Sequence, residues 1–406
     1  MQKQLIVIGG GAAGFFCAVN AARLDPSLKV TIVEKSNKVL SKVKVSGGGR
    51  CNVTHACFEI DELTKRYPRG KNFLKKAFHW FNTKDTIQWF EERGVNLKTE
   101  ADGRMFPISD SSQTIIECLL KEANKYGVEI LMNFEVQQIE MTDDKFKLLS
   151  PTSRILTSDY LCIASGGYPK SAQFNWLKQV GHSIEEPVPS LFTFNIPNNS
   201  ITELMGVSVK NAVVKVAGTK LQEQGPLLIT HWGLSGPAVL RTSAWGAREL
   251  AAKNYHFNIL VNWLNDHTEQ SLREQWHDLR NRFASQKINN KNPFGLPARL
   301  WSFLLKRSSI SEDKRWADVS AKEQNQLIKN LTAQEFEVKG KTTFKEEFVT
   351  CGGIKLSEVD ANTMQSRIVP HLYFAGEVLD IDGITGGFNF QNAWTSGWIA
   401  AKAITQ

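Results

Sequence analysis

Leu5-Ile6-Val7-Ile8-Gly9-Gly10-Gly11-Ala12-Ala13-Gly14 opens the chain, and after a small-residue stretch to Leu24 it is followed by Val30-Thr31-Ile32-Val33-Glu34. An apolar run, a glycine cluster, a helical stretch and a second apolar run predict a βαβ unit. Gly9, Gly11 and Gly14 fit G-x-G-x-x-G at the strand-to-helix turn. Gly9 makes the tight turn, Gly11 lets the backbone approach a pyrophosphate, and Gly14 lets the helix pack close to the sheet. The helix start at Ala12 and Ala13 offers free N–H groups and the positive end of the helix dipole to an anion. Glu34 ends the second strand, where a carboxylate accepts hydrogen bonds from both ribose hydroxyls and repels a 2′-phosphate. The expected dinucleotide is therefore FAD or NAD rather than NADP.

Outward from this unit, helices are predicted over Thr83–Arg93 and Ser111–Tyr126, and strands over Val128–Met132 and Val136–Met141. Tyr160-Leu161-Cys162-Ile163-Ala164 reads as a buried strand entering a second tight turn, Ser165-Gly166-Gly167. Pro187, Pro189 and Pro197 punctuate a boundary, after which the chain is rich in β-branched residues to about Leu264 and then helical and Trp-rich to about Leu331. A strand at Leu372–Ala375, a glycine-rich loop and a helix over Asn392–Ile404 close the chain. The turns Ala164-Ser165-Gly166 and Ala375-Gly376-Glu377 match the two later sheet-edge loops that flavoproteins wrap around FAD, which favours FAD over NAD. Asp380, Gly387, Phe388, Asn389 and Gln391 lie where such a tail passes the ribityl chain and isoalloxazine, the last helix pointing its N-terminus at the pyrimidine end.

The composition agrees with a folded protein. Of 406 residues 42% are hydrophobic and 22% charged, and the mean hydropathy is -0.27, which excludes a disordered chain, a fibrous repeat and a membrane bundle. With no apolar run near the ~18 residues of a spanning helix, and scattered cysteines lacking Cys-x-x-Cys or zinc-ligand spacing, a cytoplasmic protein without membrane or metal is expected. The net charge of +8 is concentrated: residues 35–76 hold eleven Lys/Arg against three Asp/Glu, and the rest of the chain holds 38 of each sign. Such a segment meets an anionic cofactor or RNA, or is simply a solvated face. No second G-x-G-x-x-G follows a strand, so NADH or NADPH, as a transient electron donor, would share the substrate cleft.

Four strings carry a family resemblance: Val45-Ser46-Gly47-Gly48-Gly49-Arg50-Cys51-Asn52-Val53-Thr54, Thr230-His231-Trp232-Gly233-Leu234-Ser235-Gly236-Pro237-Ala238, Thr350-Cys351-Gly352-Gly353, and Ala375-Gly376-Glu377-Val378-Leu379-Asp380 with Gln391-Asn392-Ala393-Trp394. Together the chain resembles the BaiN/YhiN-type NAD(P)/FAD-dependent oxidoreductases, also labelled aminoacetone oxidase-like, from its first strand to its last helix. The resemblance implies an α/β fold: a glutathione-reductase-type, Rossmann-like FAD-binding domain (1–190 and 345–406) interrupted by an inserted β-barrel (191–264) and a small helical subdomain (265–344). It implies cofactor contacts from Lys35, Ser46, Gly48, Gly49, Arg50, Cys51 and Asn52, and from Val136 at the start of its strand, reading the adenine edge. Many relatives have Gly-Arg where this chain has Leu40-Ser41, so an arginine contact is missing and Lys42 stands in for it.

Cys51, beside the flavin, is a candidate proton donor or a packed core thiol. His231 is a candidate substrate-site acid or a structural histidine. Arg104 either meets an anionic group or belongs to a surface turn. The implied activity is NAD(P)H-driven reduction of a conjugated C=C bond, in uridine of ribosomal RNA (giving dihydrouridine) or in an enone. The alternatives are a flavin amine oxidase and a non-catalytic flavin-bound RNA or ribosome-associated factor.

Overall fold

A computed structural model describes residues 2–142, 145–343 and 349–406, in two compact units spanning residues 1–190 with 344–406, and 191–343. In the first, five parallel strands stand in the order Leu372–Phe374, Tyr160–Ile163, Gln4–Ile8, Lys29–Val33, Glu129–Leu131. Leu5, Val7, Ile32, Leu161, Cys162 and Phe374 are wholly buried, as expected of a parallel sheet covered on both faces. The helix Ala12–Leu24 follows the first strand and packs against the last helix, Phe388–Ile404. Phe16 joins them, its ring 5.2 Å from that of Trp394 and 4.5 Å from that of Trp89.

The helices of this unit are built by local rules. Asn82 and Asp85 form a reciprocal capping box for Thr83–Glu91, and the Ser111 hydroxyl caps Ser112–Lys125. Two elements differ from expectation, and the glycine-rich stretch after Leu40 takes a shape for which no element was predicted. The strand predicted from Val136 begins at Gln138, leaving Val136 in the preceding connection. The glycine-rich stretch after Leu40 begins as a helical turn at Ser41 and breaks at Ser46–Gly48, where Gly47 and Gly48 are left-handed. The last helix starts at Phe388, four residues before its predicted start, because Gly387 at φ +93° supplies its N-cap; Phe388, Asn389 and Gln391 thus lie in the helix rather than in a loop.

The second unit is a seven-stranded antiparallel sheet whose order begins with Gln334–Lys339 and ends with Lys341–Thr342. These are consecutive in sequence, so the sheet curls back on itself. Its strands alternate, Ser208–Val216 burying Val209, Ala212, Val214 and Val216. The Trp-rich helical stretch shares that core: Trp263, Trp276, Trp301 and Trp316 belong to the same cluster as Val214 and Phe336.

Candidate functional site

At the first turn, the three glycines do three different things. A Cβ on Gly9 (φ +113°) would stand 2.4 Å from the Ala164 carbonyl oxygen, and one on Gly14 would stand 1.9 Å from the Gly9 carbonyl oxygen, so both positions are set by backbone packing. A Cβ on Gly11 would meet no atom within 4 Å, leaving its backbone open to a bound group. The helix behind it has no side-chain cap and no acidic residue in its first turn, so its N–H groups remain available to an anion. Glu34 is held beside them. Its two carboxylate oxygens accept the N–H groups of Gly10 and Ser36, each at 2.9 Å, and its own carbonyl accepts Phe134 N–H at 2.9 Å. That last bond brings residues 134–136, including half-buried Val136, alongside Glu34.

The two later turns pack directly against the first, Ala164 on Gly9 and Gly376 on Ala13. Gly166 is left-handed and open, while Gly167 lies against Thr350 and Glu377. Glu377 accepts Thr350 N–H at 2.9 Å and the Lys42 ammonium at 2.9 Å, and the Gly376 N–H goes to the Ser396 hydroxyl at 2.8 Å. The Thr350 hydroxyl is buried with no hydrogen-bond partner among the described residues, a polar atom that a bound group would satisfy. Lys35 is exposed, 5.5 Å from the centre of the Tyr168 ring.

The helical turn that carries Lys42 leads into Ser46–Asn52. Gly48 and Gly49 are left-handed and open to a ligand backbone. Arg50 is engaged within the protein: it lies 4.0 Å over the Phe106 ring and pairs with Glu100 at 2.6 Å and Asp110 at 3.5 Å. Cys51 is 0% exposed, and burial pushes its thiol up to about 12 against a weaker downward pull from Ser46. Its side chain is enclosed by the protein, the setting of a packed core thiol. The Asn52 amide, oriented to donate to the Thr54 and Met105 carbonyls at 3.0 and 3.3 Å, accepts Gly387 N–H at 3.0 Å.

In the tail, Asp380 is half-buried and donates its N–H to the Ile354 carbonyl at 3.1 Å. Phe388 stacks on His55 (4.7 Å), whose Nδ1 lies 3.0 Å from the Gly386 carbonyl oxygen. Asn389 brackets Gly383 through both its N–H (2.8 Å) and its carbonyl (3.0 Å). Gln391 is also 0% exposed. Its oxygen accepts from Thr54 (2.6 Å) and Thr86 (3.0 Å) and its nitrogen donates to Thr395 (3.1 Å), so it ties elements together.

Other expectations are redistributed. Arg69, one of the eleven cations of residues 35–76, has its side chain 14% exposed and pairs with Asp382, which is 0% exposed. Of the remaining cations in that group, Lys65 pairs with Glu62 and Lys75 with Asp61, each at 2.6 Å. Arg104 pairs with Glu100 (2.9 Å) and Asp102 (2.8 Å). Cys351 is buried in the strand Val349–Ile354, and all six cysteines are unbridged. His231 belongs to the second unit, exposed in the turn before Gly233–Ser235 with its ring 3.7 Å from that of Trp232. Asp382 and His55 were missed. The signal for Asp382 was an acid set between Ile381 and Gly383.

Residues 3–403 match the family model described as HI0933-like protein Rossmann domain. The chain belongs to this family. Members of the HI0933-like family are flavin-dependent oxidoreductases, and the protein is one of them. Curated relatives named ribosomal RNA dihydrouridine synthase, from Haemophilus influenzae and Escherichia coli, are 31% and 32% identical over 100% and 98% of this chain and 99% and 97% of their own. One from Clostridium scindens, 24% identical over the full length of both chains, is named 3-dehydro-bile acid delta(4,6)-reductase. Among solved structures, 3-ketosteroid delta1-dehydrogenase from Sterolibacterium denitrificans superposes with a TM-score of 0.53 at 11% identity, covering 99% of each chain; this likeness is one of fold. The cradle of this HI0933-like chain fits FAD: open backbone at Gly11, Gly48, Gly49 and Gly166, an uncapped helix start, a fixed carboxylate at Glu34 and the unpartnered Thr350 hydroxyl. Among the described residues no helix is long and apolar enough to cross a membrane, and no three His, Cys, Asp or Glu side chains converge to hold a metal ion.

Proposed function

We propose that this protein uses FAD, recharged by NADH or NADPH, to reduce the C5=C6 bond of uridine in ribosomal RNA. The observation that carries the reading is end-to-end similarity to two relatives named for that reaction. Uracil C5=C6 is conjugated to a carbonyl, so it accepts hydride at C6 and a proton at C5; the enone of a 3-dehydro bile acid presents the same electronic arrangement. When bound, FAD supplies the hydride at its N5.

The chain's own residues position and shield. The first-turn N–H groups at Ala12, Ala13 and Gly14 take the pyrophosphate, Glu34 takes the ribose, and residues 134–136 border the adenine. Open backbone at Gly48, Gly49 and Gly166 lies along the remainder, with the Lys42–Glu377 pair at its side. The N-terminus of the last helix, capped at Gly387, places a positive dipole end where negative charge collects on the reduced ring. Cys51 is protonated but fully enclosed, so a proton passed from it would need the Ser46–Asn52 segment to open.

Exposed Lys65, Arg66, Lys71, Lys75 and Lys76 meet the phosphate backbone of the RNA. The test is mass spectrometry of dihydrouridine in ribosomal RNA from cells with and without the gene. One site lost and restored by the wild-type gene supports the reading; an unchanged rRNA overturns it. The second reading, a small-molecule enone as substrate, is favoured by the bile-acid reductase relative and is tested by NADPH or NADH oxidation with a steroid enone.

A further inference from the structure

The segment Arg66–Gly70 belongs to none of the cofactor-binding motifs, yet it is laced along the loop that leads into the last helix. The Arg66 carbonyl accepts Ile384 N–H at 2.9 Å, and the Arg69 and Asp382 backbones form a β-bridge. The Tyr67 hydroxyl donates to the Phe388 carbonyl at 2.7 Å. At the centre, the buried Asp382 carboxylate takes the Arg69 guanidinium through Nε and Nη2 on its two oxygens, and the Ser190 hydroxyl at 2.6 Å. Burial pushes the Asp382 carboxyl up, and Arg69 pulls it back.

A two-point Arg–carboxylate contact fixes orientation as well as distance. As a source of stability such a buried pair is weak, because desolvation offsets much of the attraction. What it does fix is the entry to Gly383–Gly387, where Gly386 and Gly387 stand at φ +129° and +93°. Glycines have little conformational preference of their own, so the shape of this loop must be imposed from outside.

We propose that Arg69 and Asp382 are positioning residues that set the Gly383–Gly387 loop and, through it, the seat of the isoalloxazine end of FAD; this rests on the FAD reading of the cradle. The pair acts through the loop and not on the reacting atoms. Its charges cancel, so the loop is held without leaving a net charge beside the cofactor.

The test titrates FAD into cofactor-free protein and records affinity, the flavin absorption band and the thermal midpoint before FAD is added, for wild type, Asp382→Asn, Arg69→Lys and the double variant Arg69→Leu with Asp382→Leu. Each single variant is expected to weaken FAD binding on the order of tenfold to a hundredfold and to shift the flavin band. The double variant is expected to recover the thermal midpoint, since an apolar pair avoids the buried charges, without recovering affinity or band shape. A double variant that regains all three, or single variants with wild-type affinity and band, would overturn the proposal and leave the pair purely structural. If a single variant fails to fold, the double variant decides. Wild-type protein that takes up no FAD would overturn the FAD reading itself, and that result is read before any variant is made.

Discussion

Cys51 shows how far a side chain's neighbourhood can redirect its chemistry. It follows Arg50 in a glycine-rich string, which reads as an activating setting, yet it is fully buried at φ +60° with a thiol pushed up to about 12. Below pH 9 the thiol is protonated whether the chain is folded or not; above it the unfolded thiol ionises first. Stability from this group is therefore present below about pH 9 and lost as pH rises towards 12. Cys51→Ala is expected to flatten that alkaline loss in urea unfolding, and to change turnover by less than about tenfold. A fall of ~100-fold or more would make Cys51 the acid after all. Gly9, Gly11 and Gly14 were legible as a motif at a strand-to-helix turn; only the Gly14 clash, with the Gly9 carbonyl, is local, while the atom that bars a side chain at Gly9 belongs to Ala164. Asp382 was not legible, since its partner Arg69 lies 313 residues away and nothing in either neighbourhood names the other.

Helices and strands were legible where caps and periodicity are strong, as at Asn82 and Ser111, and less so where glycine changes the backbone. The last helix begins earlier than its apolar pattern indicates because Gly387, itself held by Asn52, is the cap. Gly14→Ala places a Cβ 1.9 Å from the Gly9 carbonyl oxygen, pressing the first helix off the sheet. A destabilisation of about 1–3 kcal/mol is expected, with loss of bound flavin, measured as thermal midpoint and flavin content together. A second link joins the segment after Asn175–Lys178 to the connection before the last parallel strand. His182 lies 3.2 Å from Glu358 and 3.0 Å from the Ser366 hydroxyl, its ring edge-on to Phe374. Burial lowers the His182 pKa below 6.5, with Glu358 opposing. Below 6.5 the unfolded chain binds a proton that the folded imidazole resists, so stability present above that pH is lost as pH falls. Unfolding from pH 8 to 5 is expected to show this acid loss, and His182→Gln to reduce it.

For the whole molecule, the cations of residues 35–76 do not act as one group: Arg69 is in a buried pair, Lys42 and Arg50 pair with Glu377 and Glu100, Lys65 and Lys75 form exposed pairs with Glu62 and Asp61, and Lys71 and Lys76 are exposed on the short helix Lys71–Ala77. Surface ion pairs are worth little and yield readily to phosphate. RNA binding is therefore expected to weaken steeply with salt, and Lys71→Gln with Lys76→Gln to reduce the log–log slope by about 0.7 for each phosphate no longer neutralised. Salt-independent binding, or an unchanged slope, would remove this face from the interaction. By itself the sequence determined the βαβ unit, with its glycine turn and Glu34 at the strand end, because these depend on periodicity and backbone sterics within a few tens of residues; the expectation for Gly48 and Gly49 came from the family resemblance. Only the tertiary structure decided that Cys51 and Gln391 are buried, that Arg69 leaves the surface for Asp382, and that the strands and helices of residues 191–343 share one core. Burial and ion pairing are settled by what the fold brings from far along the chain, and a side chain's own neighbours carry no record of it.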